Sequence, residues 1–179
     1  MNTKETTKAY LSKLSKSELI NEILDLVEQN IDVEKYYSMK LDKSHETEYI
    51  KQFNKKIKSY LKSDNRTNFD SLKETFKSLI ISLEDKSKLS HAGLDLINKK
   101  TDNMFSDGDR RERSFDELYQ LTELTLQTIQ NEEDEIKAGF ILEEVISTVS
   151  NIDNVLYEEI SELISGHIDW DLVEEAKEG

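Results

Sequence analysis

Apolar residues recur along this chain at the spacing of helices, and no segment sustains the alternation of a half-buried strand. The clearest stripe is Tyr49, Ile50, Phe53, Ile57, Tyr60 and Leu61, at i, i+1, i+4, i+8, i+11 and i+12. It is one face of a 3.6-residue period and predicts a helix over about 45–62. Phe69, Leu72, Phe76, Leu79, Ile80 and Leu83 predict the next helix, and Leu89, Leu94 and Ile97 a shorter one around 88–100. Upstream, Ser15 and Glu18 have capping-box spacing, with Leu14 and Leu19 at the positions of a hydrophobic staple. A stripe of Leu19, Ile20, Ile23, Leu24 and Val27 follows. Residues 3–13 read as a short leading helix, and Asp32 as the cap of a short helix through Tyr36, Tyr37 and Leu41.

Four more helical segments come after the stretch TDNMFSDGDRRER, the most loop-like in the chain. Ser114 and Glu117 have the spacing of a second capping box, ahead of Phe115, Leu118, Tyr119, Thr122, Leu126 and Ile129. The segment 132–149 has one side made of Ala138, Ile141, Leu142, Val145, Ile146 and Val149, while Ile136 and Phe140 point elsewhere, which predicts contact with two neighbours. Leu156, Ile160, Leu163 and Ile164 mark 154–165, with Gly166 at the place of a C′ glycine. A last short helix starts near Asp169. The expectation is an all-α fold of about eight to nine helices, either an antiparallel multi-helix bundle or a short stack of helical hairpins. No strict repeat of fixed period is visible.

Composition reinforces this picture. The chain has no proline and only five glycines, the two residues that most often interrupt helices. It has no cysteine, which excludes disulfides, thiol catalysis and cysteine-based zinc sites. No window approaches the ~20 apolar residues of a membrane span, and the first residues contain no continuous apolar run. A cytoplasmic location is expected. Lysine far outnumbers arginine, and Asn and Ile are frequent, which points to an AT-rich bacterial or phage genome.

Charge divides the chain. Residues 1–101 hold 19 Lys+Arg against 16 Asp+Glu, a net of +3; residues 102–179 hold 5 against 22, a net of −17. The expected organisation is therefore a near-neutral helical half (1–101), a polar junction (102–113) and a strongly acidic helical half (114–179), together one continuous domain.

The opening KAYLSKLSKSELINEILDLVEQNIDVEKYYSMKL, with its Leu-Ser-Lys-x-Glu-Leu start and later Val-x-x-Tyr-Tyr, resembles small bacterial all-helical proteins of uncharacterised function. It is also similar to the tandem-helix segments found beside SWIM zinc fingers. The resemblance covers about residues 8–61 and implies an all-helical fold and no particular activity. The zinc ligands of the SWIM finger are missing from this chain, so its metal site does not carry over.

Motifs for chemistry are lacking. His45, His91 and His167 form no Glu-x-x-His pair and no H-E-x-x-H. Set as a calcium loop around Gly108, the stretch 103–114 has Phe105 at a ligand position and Ser114 where a bidentate Glu belongs. No Gly-rich loop or nucleophile elbow is present. No cofactor or metal is expected.

Surface charge is what remains. Glu132, Glu133, Asp134 and Glu135 complement a helix N-terminus and need no further reason. Glu143 and Glu144, and Glu158, Glu159 and Glu162, have no such local explanation and are the candidate partner-binding residues. Secondary candidates are Arg110, Arg111 and Arg113, and the stripe Lys51, Lys55, Lys58 and Lys62. Direct nucleic-acid binding is disfavoured by the net charge of −14. The leading expectation is a non-enzymatic interaction protein whose acidic helices bind a basic protein surface. One form of it is a phage-type nucleic-acid mimic that inhibits a host defence or DNA-processing enzyme. The alternative is a helical scaffold or adaptor forming homo-oligomers through its basic and acidic halves; a small enzyme built on bundle carboxylates is the third reading.

Overall fold

The structure is a computed structural model; it describes residues 3–63, 65–109 and 111–178. Among these residues there are ten α-helices and no strand: α1 (Thr3–Leu11), α2 (Lys16–Gln29), α3 (Ile31–Leu41), α4 (Lys43–Ser63), α5 (Arg66–Ser82), α6 (Ser87–Asp107), α7 (Glu112–Leu126), α8 (Glu132–Ser150), α9 (Asn154–Ser165) and α10 (Trp170–Glu178). The fold is all-α, with slightly more helices than the stripes suggest.

Side-chain caps explain most helix starts. Ser15 accepts from the Glu18 amide while the Glu18 carboxylate accepts from the Ser15 amide, so the first capping box is complete. Asn65, Asn131 and Asp153 cap α5, α8 and α9. Asn30, two residues earlier than expected, caps α3; Asp32 lies inside its first turn. Three other expectations need correction. The helix expected over 88–100 continues to Asp107, because Thr101 and Met104 extend its buried side beyond Ile97. Gly108, in the left-handed region at φ 63°, ends it: the Asp109 amide reaches back to the Met104 carbonyl at 2.9 Å. Gly166, by contrast, stays right-handed at φ −78° and is no C′ glycine of that kind. Ser114 and Glu117 form no capping box, since α7 starts earlier, at Glu112, and both side chains are used elsewhere.

Three hairpins, α4/α5, α6/α7 and α8/α9, stack on one another: α6 packs on α4 and α8, and α7 on α5 and α9. Equivalent helices run in the same direction. The start of α4 meets the start of α6 (Glu46 to Lys88, 3.4 Å), and the start of α6 meets that of α8 (Ser87 to Asp134, 3.1 Å). Lys73 of α5 likewise meets Gln120 of α7 at 3.2 Å. This is the short stack of helical hairpins, achieved without a sequence repeat. α3 covers α4 and α5 at one end, with α2 against it; α10 packs on α8 near the other end. Thus α8 has three neighbours rather than two.

The buried side chains form one cluster running from Met39 to Val173. Phe53 and Phe76 meet at 4.9 Å between ring centres in α4/α5, and Leu94, Leu96, Ile97, Leu118, Leu121 and Leu142 join the hairpins. Two glycines allow close approach. Gly93 of α6 lies against Thr125 of α7, and Gly139 of α8 against Val173 of α10. No described helix is long and apolar enough to cross a membrane.

Candidate interaction surfaces and a buried charge cluster

The acidic candidates sit on two flanks of the last hairpin. Glu158, Glu159 and Glu162 are exposed on α9, away from Leu156, Ile160 and Ile164, which face the core. Where α9 lies beside α7, Phe115, Tyr119 and Leu163 are half-buried against the core and leave an edge open to solvent. With Asp116, Glu159 and Glu162 they line a shallow groove. Among the described residues, Asp116, Glu144, Glu158, Glu159 and Glu162 take part in no ion pair. Glu143 is on the other flank, paired with Lys177 of α10 at 2.9 Å. The structure therefore brings Glu159 and Glu162 together with Asp116, and does not bring Glu143 into that group.

The basic candidates are placed differently. Lys51, Lys55, Lys58 and Lys62 are exposed along α4, opposite Phe53, Ile57 and Tyr60, and Lys51 approaches Glu48 at 3.9 Å. Arg110 is outside the described residues. Arg111 and Arg113 are engaged within the fold. Asp109 accepts from the Arg111 amide at 3.0 Å, from its guanidinium at 2.9 and 2.7 Å, and from the Ser114 hydroxyl at 2.5 Å. These donors, the Arg111 guanidinium first, hold the Asp109 carboxyl well below the ordinary carboxylate range.

Glu117 organises a cluster that the stripes did not single out. Its carboxylate accepts from Tyr60 Oη at 2.6 Å, Lys100 Nζ at 3.1 Å and Arg113 Nε at 2.7 Å. Lys100 also stands 5.3 Å from the centre of the Tyr60 ring. Lys100 and Glu117 are each 3% exposed and Tyr60 1%, so these charges are almost wholly removed from water. The signal was legible: Lys100 falls at i+3 from Ile97 and four before Met104, on the core side of α6. A charge there requires an opposite charge inside.

A pH dependence follows from Asp109. A carboxyl with a folded pKa below its unfolded value of ~3.9 stabilises the fold fully above that value, and the contribution fades as pH falls through the folded value. Acid unfolding monitored by circular dichroism should therefore be less steep below about pH 4 in Asp109→Asn than in the unaltered chain. Identical acid limbs would exclude the α6–α7 turn as a source of acid sensitivity.

No protein-family model matches this chain, and no similar protein was found among curated proteins or solved structures. The geometry alone carries the functional reading.

Proposed function

We propose that the chain is a non-enzymatic interaction protein whose acidic α7–α9 surface holds a basic segment of a protein partner. The observation that supports this is the groove: Asp116, Glu159 and Glu162 border Phe115, Tyr119 and Leu163, and the three carboxylates have no cation of their own among the described residues. Neighbouring like charges cost a few tenths of a kcal/mol each even on an isolated helix. An incoming Lys or Arg relieves that cost, laying its methylene stem on the aromatic edges and its charged head among the carboxylates. Anionic ligands are repelled from the same place. In the concrete form we favour, these carboxylates occupy a site where the partner otherwise holds phosphates, so the partner's own nucleic acid competes for binding.

The test is the affinity of a partner captured from the native host, measured by calorimetry at about 0.05 M and about 0.5 M salt, where screening lengths differ several-fold. Affinity should fall steeply with salt. Like-charge juxtaposition costs several kcal/mol, so Glu158→Lys, Glu159→Lys and Glu162→Lys together should weaken binding by about 100-fold or more. Affinity indifferent to both salt and the triple change would sink the proposal.

A further inference from the structure

Among the described helices, only α1 and α2 bury no side chain. Yet α2 is strongly amphipathic: Ile20, Ile23, Leu24 and Val27 stand at i, i+3, i+4 and i+7. Ile20 is 47% exposed, Leu24 53% and, where α3 begins, Ile31 61%. Single apolar residues on a surface are ordinary, but consecutive turns of one helix presenting such a face are the mark of an interface. The face sits at the α3 end of the hairpin stack, remote from the acidic α7–α9 groove.

We propose that a second copy of this chain covers this face, α2 against α2 across a two-fold axis. Charge is the reason to choose a second copy over a different protein. Residues 3–16 carry four lysines and one glutamate, a net of +3, and residues 17–34 carry six acids and no base, a net of −6. The two segments meet where Tyr10 Oη donates to Glu22 at 2.8 Å. In a two-fold contact a patch meets its own complement, so the basic segment 3–16 of one copy lies over the acidic segment 17–34 of the other. The long-range field favours the same end. Two chains of net −14 repel, but residues 102–179 carry −17 of that charge and residues 1–101 carry +3. Association through the N-terminal helices keeps the two acidic halves farthest apart.

Sedimentation equilibrium of the full chain, from low micromolar to near-millimolar concentration, tests this. The unaltered chain should reach a dimer and stop there, since a two-fold contact closes. The double variant Ile20→Glu/Leu24→Glu alters exposed positions and should retain its circular dichroism. It should raise the dissociation constant by more than about 30-fold; Leu24→Ser is the milder variant should that pair perturb the helix. Glu159→Lys/Glu162→Lys, on the distant groove, should leave the dimer unchanged. A chain that is monomeric at every concentration overturns the proposal, whatever else then covers α2, and so does a dimer that the α2 variants leave intact.

Discussion

Glu117→Ala should destabilise the fold by about 3–5 kcal/mol, the range for removing one member of a buried ion pair. At this chain length each kcal/mol moves Tm by about 2–4 °C, so calorimetry should show a fall of about 6–20 °C. The size comes from what is left behind. Lys100 would remain 3% exposed without the carboxylate it meets at 3.1 Å, and the Tyr60 hydroxyl would lose the carboxylate it meets at 2.6 Å. Arg113 matters less, since its partly exposed guanidinium can turn to water. Glu117→Gln should fall between, because it keeps an acceptor but not the charge. Replacing the buried members together, as Tyr60→Phe/Lys100→Met/Glu117→Leu, should recover most of the loss, since a well-packed apolar substitute for a buried ion pair is often neutral or stabilising. The cluster joins α4, α6 and α7, so a test of its role in alignment is whether the apolar triple variant keeps a single set of sharp amide resonances. A loss below about 1 kcal/mol for Glu117→Ala would show that water reaches these charges readily.

That cluster also marks where the sequence was legible and where it was not. The α4 and α5 stripes predict their helices closely, because both bury one face and solvate the other, the arrangement that periodicity reads best. The end of α6 was missed because TDNMFSD is polar in composition; its helical character lies only in Thr101 and Met104 continuing the Ile97 side. Ser114 and Glu117 satisfy the capping-box spacing, yet tertiary partners outcompete it: Asp109 takes the Ser114 hydroxyl, and Lys100, seventeen residues upstream of Glu117, takes the carboxylate. The shared face of Glu158, Glu159 and Glu162 follows from helical period alone. That Phe115, Asp116 and Tyr119 complete a groove with two of them does not, because it depends on α7 and α9 lying side by side two helices apart in the chain. The missing repeat has the same origin. Parallel hairpins here are held by unlike contacts, Glu46–Lys88 in one pair and Ser87–Asp134 in the next, so no residue pattern need recur.

Gly93→Ala should destabilise the chain by about 1–2 kcal/mol even though alanine is the better helix former. Substituting glycine inside a helix gains roughly 0.5–1 kcal/mol. Against that, a Cβ at Gly93 would lie 2.5 Å from Thr125 Oγ1, 2.9 Å from Thr125 Cγ2 and 3.0 Å from Phe76 Cζ. Neither neighbour gives way easily. Thr125 is β-branched, fully buried and donates its hydroxyl to the Leu121 carbonyl at 2.7 Å; Phe76 is fully buried and packed on Phe53. Overpacking of this kind costs about 1–3 kcal/mol and outweighs the helix gain. Thr125→Ala removes the two nearest atoms, so in that background Gly93→Ala should become neutral or mildly stabilising. Urea denaturation of the four proteins in the cycle should therefore give a coupling energy above about 0.5 kcal/mol. Strict additivity would mean that α6 and α7 separate slightly to admit a methyl group, and that Gly93 does not set their distance.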